Sequence, residues 1–344
     1  MKTWKKIAAI ILLVTMMLSV FTSCKKVPDS DLTKIVVQTS WNLCAEFAPI
    51  TAAILNGYYK DEGIEVELRE GGVQGLNFLE GTVLLSQDNS IDIAIANDMF
   101  AQILAKDQGD FYVKTIGALW QINPMGLLVR TDSGIKDFSD IKNHPGFKIG
   151  LAGDDWTIRA LADYIGVEIS HFNHIIVGND AAAFLSGQVD GLVCFWTTQV
   201  YQVEKAGIDY QFIPLSNIEG YSNPSLVFQA REDTINENPE IIERFLRATI
   251  RGITYCIENP DAAAETVINK QFGTEDLDLE HEKWMLNKAL GMKLFDFIPD
   301  RTQYLNIDTN QVRNYLEFLF DYGAVKNRIS IDEVIDFTFI DKLY

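Results

Sequence analysis

The sequence predicts an α/β protein of two lobes with a ligand-binding cleft between them. Short apolar runs typical of β-strands alternate with segments of helical periodicity over most of the 344 residues. This alternation runs through residues 34–107 and then starts again after residue 111. A βαβ order favours parallel sheets covered by helices on both faces, and ligands bind beyond the carboxyl ends of such strands. Two units of this kind leave a cleft where their strand ends face each other.

The first unit is predicted from three strand–helix pairs. Pro49 lies in the first turn of the first predicted helix and Gly57 lies near its end, which matches the residue preferences of helix termini. Strands are expected at 34–39, 64–70 and 91–96, and helices at 47–59, 75–86 and 99–107.

The second unit repeats the rhythm. A strand at 224–230 is then predicted to return to the first unit, and the helix at 238–259 shows the three-four apolar spacing of one buried face. We therefore assign residues 34–124 and 224–344 to lobe 1 and residues 125–223 to lobe 2. The strands are expected at 112–120, 125–131, 147–152, 174–178, 189–196 and 210–215, and the helices at 156–166, 181–187 and 198–207.

The amino terminus has the features of a secretion signal. Three lysines precede an apolar run at residues 7–18, which is shorter than the about 20 apolar residues that span a bilayer. The segment FTSC (21–24) resembles a lipobox, so Cys24 is the predicted lipidation site. Phe21 stands where Leu is usual, which leaves a plain signal peptide as the alternative. This predicts a signal peptide at 1–23, a tether at 24–33 and a lipid-anchored, extracytoplasmic protein.

The net charge limits the class of partner. The chain carries a formal charge of −19 at pH 7, which argues against nucleic acid or an anionic membrane surface. No later segment has about eighteen consecutive apolar residues, so membrane contact is predicted through the N-terminal lipid only. We expect a monomer that binds a small molecule.

Cysteines and histidines are sparse. After the predicted lipidation site the chain has Cys44, Cys194 and Cys256 without a Cys-x-x-Cys pair. No disulfide framework or zinc motif is therefore indicated, although one disulfide stays open. His171 and His174 are interpreted as loop or strand-entrance residues rather than metal ligands.

Catalytic signatures are missing. The sequence has no Gly-x-Ser-x-Gly elbow, no Walker loop and no Gly-x-Gly-x-x-Gly after a strand. The glycines of 71–81 have the wrong spacing for a dinucleotide and are interpreted as a turn into a helix, with Gln74 near the ligand. These absences predict a protein that is not an enzyme and uses no cofactor or metal.

Aromatic residues recur where strands are predicted to end, and polar residues lie beside them. A single aromatic residue at such a position is as compatible with core packing as with ligand binding. Together, these residues favour stacking on a flat ligand, which contributes on the order of 1–3 kcal/mol per ring. Amide and acid neighbours then recognise the ring edge by hydrogen bonds. The aromatic candidates are Trp41, Trp120, Trp156, Phe195, Trp196 and Tyr221, and the polar ones are Asn42, Glu46, Asn97, Asp98, Gln121, Asn123, Asp154 and Asn179.

The segment GDDWT (153–157) bears on the charge of the ligand. Asp155 is interpreted first as the N-cap of a helix that begins at Trp156. A helix N-terminus attracts anions, but Asp154 and Asp155 would repel them and favour amino groups or ring N–H donors. Arg159, one turn on, offsets part of this charge. A planar, nitrogen-rich heterocycle is therefore preferred over a sulfonate, phosphate or nitrate.

Four segments of the chain resemble the NMT1/THI5-like periplasmic substrate-binding proteins of the SsuA/ThiY type. In the first, Ala-Pro precedes a helix that ends in Gly-Tyr-Tyr-Lys-x-Glu-Gly before an apolar strand. The segments follow the expected order over most of the chain. They are AEFAPITAAILNGYYKDEGIEVEL (45–68), DIAIANDMFAQILAKDQG (92–109), GIKDFSDIKNHPGFKIGLAG (134–153) and AAAFLSGQVDGLVCFW (181–196).

The resemblance implies a two-lobed periplasmic-binding-protein fold, type II-like, that closes over a small molecule and presents it to an ABC permease. Members of the family bind thiamin pyrimidine precursors, riboflavin, alkanesulfonates or nitrate-like anions. A thiamin-type aminopyrimidine is the preferred ligand here, riboflavin is the alternative, and an alkanesulfonate or another anion comes third. By this likeness the cleft is lined by the loop Trp41–Phe47, the turn at Asn97, the segment 153–157 with Thr157, and the strand end Phe195-Trp196.

Two other functions stay open. One branch of the superfamily is the thiamin-pyrimidine synthase, an enzyme with a cysteine-rich run and a pyridoxal-phosphate lysine. In this chain Cys194 is isolated, and the predicted signal peptide fits poorly with that cytosolic chemistry. A receptor domain that signals to a membrane sensor would have the same cleft.

Overall fold

The structure is a computed structural model that describes residues 31–71, 81–152, 156–295 and 303–343. Three of the predicted ligand-binding residues, Gln74, Asp154 and Asp155, lie outside the described residues. The predicted signal peptide and lipidation site at Cys24 lie outside them as well.

The first sheet contains five strands in the order β2-β1-β3-β10-β4. Its strands come from both ends of the chain, because β10 joins it after the second sheet is complete. The strands are β1 (Thr33–Thr39), β2 (Ile64–Arg69), β3 (Ile93–Ala96), β4 (Val113–Trp120) and β10 (Ser225–Arg231).

The second sheet contains five strands in the order β7-β6-β8-β5-β9. All of them lie between β4 and β10 in the sequence. The strands are β5 (Met125–Arg130), β6 (Phe147–Leu151), β7 (Phe172–Ile176), β8 (Gly191–Phe195) and β9 (Tyr210–Pro214). Two separate sheets with helices between their strands confirm the predicted α/β class.

Each sheet is mixed, which corrects the expectation of purely parallel pairing. β1 runs parallel to β2 and β3, and β6 runs parallel to β7 and β8. β10 is antiparallel to β3 and β4, and β5 is antiparallel to β8 and β9. The reversed strands β5 and β10 are the two that the chain enters directly after crossing from the other sheet. A strand that enters from the neighbouring sheet starts at the edge where its neighbours end, so it runs the opposite way.

The helices connect the strands and cover the sheets. The predicted helix at 47–59 starts with the end of a 3₁₀ turn (Ala45–Phe47) and is then divided into two helices at Gly57, which has a left-handed φ of 74°. Among the described helices, none has the length and apolar character to cross a bilayer. The helices are α1 (Ala48–Leu55), α2 (Tyr58–Asp61), α3 (Gly81–Gln87), α4 (Phe100–Gln108), α5 (Trp156–Ile165), α6 (Ala182–Leu185), α7 (Gln199–Lys205), α8 (Glu232–Glu237), α9 (Pro239–Glu258), α10 (Pro260–Val267), α11 (Leu279–Gly291), α12 (Thr309–Asp321), α13 (Ile331–Val334) and α14 (Thr338–Leu343).

The long helix α9 packs closely on α1 and so fixes the segment that follows β1. Its buried face carries Phe245 and Ile253, as the three-four apolar spacing predicts. At Gly252 the two backbones approach so closely that a Cβ there would lie 2.0 Å from the carbonyl oxygen of Pro49. The hydroxyl of Tyr59 also lies 2.8 Å from the Thr249 hydroxyl. These contacts hold the first turn of α1, and with it the loop before α1, in one position.

Candidate ligand-binding site

A cavity of about 380 Å³ lies between the two sheets, at the carboxyl ends of β1, β3, β6 and β8. This is the edge at which ligands bind in parallel α/β sheets. The helix α11 adds a third wall. The residues that line the cavity are Trp41–Cys44, Glu46 and Asn97 beside the first sheet, Met125, Leu151, Ala152, Gly178–Asp180, Leu192–Phe195, Thr198, Gln199 and Gln202 beside the second, and Leu277, His281, Glu282 and Met285 around α11.

The loop after β1 is held by side chains from other elements. Thr39 Oγ1 donates to the Trp41 carbonyl at 2.6 Å, and the backbone N–H of Leu43 donates to Glu70 Oε1 at 2.8 Å. The N–H of Ala45 donates to Glu282 Oε2 at 2.5 Å, across 237 positions of sequence. Because its backbone groups are satisfied in this way, the loop keeps an irregular shape that turns the side chains of Trp41 and Glu46 to the cavity.

Glu46 is the buried carboxyl group of this loop. Its side chain is 6% exposed, and its Oε1 accepts a hydrogen bond of 2.8 Å from Thr197 Oγ1, just beyond β8. Burial raises the pKa of Glu46 to about 7, because the carboxylate loses more stabilisation on leaving water than it gains from the hydrogen bond of Thr197. The nearby Glu282 raises the pKa of Glu46 further.

Glu282 is the second buried carboxyl group of the cavity. It is 2% exposed on α11, and burial raises its pKa to about 7 even though the N–H of Ala45 stabilises the charged form. The negative charge of Asp278 also raises the pKa of Glu282. The site therefore contains two acids that hold protons far more strongly than exposed glutamates do.

The helix α11 joins the two halves of the site. Its Trp284 Nε1 donates to Glu204 Oε2 on α7 at 2.9 Å, and Lys288 Nζ lies 2.9 Å from Glu204 Oε1. The ring of His281 stacks on Tyr201 of α7 with centroids 4.5 Å apart. Glu282 of α11 also accepts a hydrogen bond from the loop after β1. The helix α11 therefore contacts elements of both sheets beside the cavity.

The described lining of the cavity offers polar groups and apolar walls but no fixed positive charge. None of the described residues that line it is Lys or Arg. Burial lowers the pKa of His281, so its imidazole is neutral at pH 7, and its Nε2 is buried without a hydrogen-bond partner among the described residues. The rings of Trp41 and Phe195, with the side chains of Met125 and Met285, supply flat or adaptable apolar surface.

Six of the predicted residues line the cavity: Trp41, Asn42, Glu46, Asn97, Asn179 and Phe195. Asn97 is fixed through its carbonyl, which accepts hydrogen bonds from Leu226 N at 3.0 Å and Ser225 Oγ at 2.6 Å. Leu226 has a left-handed φ of 48°, rare for a leucine, at the point where the chain re-enters the first sheet. Strained backbone of this kind concentrates near functional sites.

The structure places four predicted aromatic residues in packing positions outside the cavity lining. Phe47 is fully buried in the core beside α1 and α9. Trp196 follows Phe195, the last residue of β8, and packs on Phe212 with ring centroids 4.7 Å apart. Trp156 and Tyr221 pack elsewhere between the sheets. Trp156 stacks on Phe100 and meets Phe318, and Tyr221 meets Tyr315 and Phe318.

Three predicted polar residues likewise have structural partners outside the cavity lining. Asp98 Oδ1 accepts from the first backbone N–H of α4, that of Phe100, at 2.7 Å. Gln121 Nε2 donates to the Ala118 carbonyl at 3.1 Å. Thr157 Oγ1 lies 3.4 Å from the Tyr221 hydroxyl. Each of these polar groups makes a hydrogen bond within its own surroundings. A position near a predicted strand end does not show whether a side chain is used in this way or for a ligand.

Sequence reasoning missed the contribution of α11. Glu282 falls on the apolar face of this helix with Met285, Leu286 and Ala289, all of which are buried. A carboxylate at an apolar position of an amphipathic helix is rarely tolerated without a purpose. That placement was the available signal, but only the fold brings Glu282 to Glu46.

A second depression, of about 790 Å³, lies at the opposite edge of the first sheet, beside Tyr112 and Arg231. The Arg231 guanidinium there donates to the carbonyls of Leu85 and Ile91. This edge holds the amino ends of the parallel strands, and its arginine already serves the fold. The cavity between the sheets is therefore the candidate ligand site.

The profile of the NMT1/THI5-like family matches residues 44–263. The chain belongs to the NMT1/THI5-like family. Its fold is similar to that of the periplasmic aliphatic sulphonate binding protein SsuA from Escherichia coli, with a TM-score of 0.61, 14% identity and coverage of 89% of this chain and 92% of that one. The predicted two-lobed periplasmic-binding-protein fold is thereby confirmed.

Relatives of this NMT1/THI5-like protein include binding proteins and an enzyme. It is 24% identical to the riboflavin-binding protein RibY of Chloroflexus aurantiacus over 75% of this chain and 72% of that one. It is 24% identical to the formylaminopyrimidine-binding protein of Halalkalibacterium halodurans over 71% and 72%. It is 26% identical to the 4-amino-5-hydroxymethyl-2-methylpyrimidine phosphate synthase of Schizosaccharomyces pombe over 82% and 80%.

The last of these relatives contradicts the prediction that the chain is not an enzyme. That prediction depended on missing motifs, and a single fold of this family supports both binding and catalysis, so missing motifs do not decide the matter. Pyridoxal phosphate, which the resemblance attaches to the synthase branch, does not fit the donor set of the cavity. Its aldehyde needs a lysine and its phosphate a cation, and the described lining supplies neither.

Proposed function

We propose that this protein is the extracytoplasmic receptor of an ABC importer and binds a planar, nitrogen-rich heterocycle in the cavity around Glu46. The composition of the cavity carries the proposal. Aromatic rings at Trp41 and Phe195 provide stacking surface, and the carboxyl groups of Glu46 and Glu282 accept hydrogen bonds from amino and ring N–H groups. A sulfonate or phosphate would meet two buried carboxyl groups there and no lysine or arginine among the described lining residues.

A thiamin-type aminopyrimidine is the preferred ligand. The cavity volume of about 380 Å³ is near the lower end of the roughly 300–1,000 Å³ found for ligand sites, which favours a single small ring. The likeness to a formylaminopyrimidine-binding protein supports this choice. Riboflavin is the alternative, supported by the likeness to RibY, but its three fused rings and ribityl chain need a longer cavity.

The cellular setting belongs to the same proposal. The FTSC segment supports lipidation at Cys24, which would hold the receptor beside its permease. Lobe 1 (34–124 and 224–344) and lobe 2 (125–223) would close on the ligand by bending at the two crossings between the sheets. We expect Cys24→Ser to move the protein from the membrane fraction to the soluble fraction, and retention of lipid labelling in that variant would contradict this assignment.

Synthesis of the pyrimidine is the second candidate function, favoured by the likeness to the synthase from Schizosaccharomyces pombe. Its test is direct. Purified protein is incubated with pyridoxal phosphate and a mixture of amino acids, because the product contains two nitrogen atoms more than pyridoxal phosphate does. Formation of 4-amino-5-hydroxymethyl-2-methylpyrimidine phosphate is followed by mass spectrometry. Product formation that is lost in a Glu46→Gln variant would establish the enzyme function.

The experiment for the receptor function is native mass spectrometry with an absorbance spectrum. The mature protein is measured as purified and again after unfolding, dialysis and refolding. A receptor of high affinity retains its ligand, and a ligand at 100 times its dissociation constant stabilises the fold by about 2.7 kcal/mol. A released ultraviolet-absorbing heterocycle supports the aminopyrimidine, and a yellow fluorescent one supports riboflavin. A protein that neither ligand stabilises after refolding would contradict the proposal.

A further inference from the structure

The charge balance of the cavity identifies the class of its ligand more narrowly. We propose that the site selects a positively charged planar heterocycle, such as a pyrimidinium, and that Glu46 and Glu282 together supply the counter-charge. This inference rests on the proposed binding function.

Each of the two carboxyl groups has one oxygen committed to the fold. Thr197 donates to Glu46 Oε1 at 2.8 Å, and the N–H of Ala45 donates to Glu282 Oε2 at 2.5 Å. The other oxygen of each carboxyl group has no hydrogen-bond partner in the part of the chain that the structure describes. Since both residues line the cavity, it offers two acceptors from two different walls.

Among the residues that the structure describes, no cation acts on this pair. The groups whose charge acts on the two acids or on the adjacent Cys44 thiol are Glu70, Asp278 and the pair itself. His281, with Nδ1 at 4.0 Å from Glu282 Oε1, has a lowered pKa and is neutral at pH 7. Lys205 lies 3.4 Å from Asp278 and is paired with it on the exposed side.

Two desolvated carboxylates without a cation are unfavourable, so the empty site holds protons instead. A cationic ligand removes that need. Its charge is attracted to both carboxylates and, by cation–π interaction, to the faces of Trp41 and Phe195. A neutral ligand of the same shape gains neither. Binding of the cation should therefore release protons near neutral pH, because it stabilises the ionised form of both acids.

The test compares two probes of nearly equal shape, the permanent cation 4-amino-1,2-dimethylpyrimidinium and neutral 4-amino-2-methylpyrimidine. Affinities for the refolded, ligand-free protein are measured by calorimetry at about pH 8, and proton release is measured near pH 7 in two buffers of different ionisation enthalpy. We expect the cation to bind at least about tenfold more tightly and to release protons. Glu46→Gln and Glu282→Gln should each reduce that preference, whereas Glu280→Gln, exposed on the same helix, should not.

Equal affinity for the two probes, or binding of the cation without proton release, would overturn the charge inference and leave the binding function standing. Failure of both probes, and of riboflavin, to bind would count against the binding function itself. The comparison of probes needs only the unmodified protein, so it decides the question even where a variant folds poorly.

Discussion

The hydroxyl of Thr197 donates to Glu46 Oε1 at 2.8 Å, and this one hydrogen bond joins the two sheets across the cavity. Thr197 follows β8 of the second sheet and is fully buried, while Glu46 follows β1 of the first and is 6% exposed. A buried hydrogen bond to an ionisable acceptor contributes more when the acceptor is charged. The contact between the two sheets at this point is therefore coupled to the protonation of Glu46.

Thr197→Val should expose this coupling. Loss of the hydroxyl leaves Glu46 with less stabilisation of its charged form, so its pKa should rise above about 7. We expect a loss of about 1.5–3 kcal/mol in the free energy of unfolding at pH 8, and a smaller loss at pH 5.5, where Glu46 is protonated. Urea unfolding at the two pH values measures this. Thr254→Val, whose hydroxyl bonds within α9, is the control and should show no such difference between pH values.

The two acids should make the ligand-free protein less stable as the pH rises. Glu46 and Glu282 have pKa values near 7 in the folded protein against 4.5 for an ordinary glutamate. The folded state therefore binds more protons than the unfolded state between pH 4.5 and 7, and the free energy of unfolding falls across this window, by about 1.4 kcal/mol for each unit of raised pKa.

Glu46→Gln removes one of these acids and should flatten the fall. The difference in free energy of unfolding, variant minus unmodified protein, should increase from pH 5 to pH 7 and level off above it. Chemical denaturation at half-unit pH intervals measures the difference. Glu280→Gln should follow the unmodified protein throughout, and a Glu46→Gln curve parallel to both would show that Glu46 titrates normally.

The same substitution should have opposite effects at two glycines, one at the contact between α9 and α1 and one at the end of α11. Gly252→Ala should destabilise by about 1–3 kcal/mol, because its Cβ would lie 2.0 Å from the Pro49 carbonyl oxygen and must displace backbone. Gly291→Ala, at the end of α11, meets no described atom within 4 Å and should stabilise by up to about 1 kcal/mol through helix propensity. Thermal unfolding of both variants decides. If the two variants had equal free energies of unfolding, α9 and α1 would accommodate the added methyl group without cost, which would contradict the prediction.

Neighbouring aromatic residues at the end of β8 should differ in function. Phe195→Ala should weaken binding of 4-amino-5-hydroxymethyl-2-methylpyrimidine about tenfold or more with little loss of stability, because Phe195 lines the cavity. Trp196→Ala should lower the free energy of unfolding by about 3 kcal/mol and change affinity little, because Trp196 packs on Phe212. Calorimetric titration and urea unfolding separate the two. A larger effect of Trp196 on affinity would contradict the assigned cavity lining.

Much of the fold could be predicted from sequence because strands and helices alternate with clear apolar periodicity. The predicted strand at 174–178 is observed as β7, Phe172–Ile176. The difference arises because β7 is an edge strand, whose exposed Asn173 breaks the apolar pattern. The reversal of β5 and β10 could not be predicted, since strand direction depends on which edge the chain enters after crossing between the sheets.

The site could be predicted in part. Residues at the carboxyl ends of strands or in the loops that follow them, such as Glu46, Asn97 and Phe195, line the cavity because these strand ends meet there. The choice of Phe195 over Trp196 could not be predicted, because Trp196 lies in the turn after β8 and its contact with Phe212 depends on the assembled fold. Glu282 lies in a region without any strand, and its hydrogen bond to Ala45 spans 237 positions. Only the assembled fold brings it to the site.

The proposed function depends on a contact between Glu46 and a bound nitrogen heterocycle. The most direct test is a ¹³C NMR titration of the glutamate carboxyl carbons near pH 7 with 4-amino-1,2-dimethylpyrimidinium, in which Glu46→Gln and Glu282→Gln assign the two buried signals. Saturating ligand should shift both signals toward the ionised carboxylate while exposed glutamates stay unchanged. Saturable binding that leaves the Glu46 and Glu282 signals in place would contradict the proposed contact.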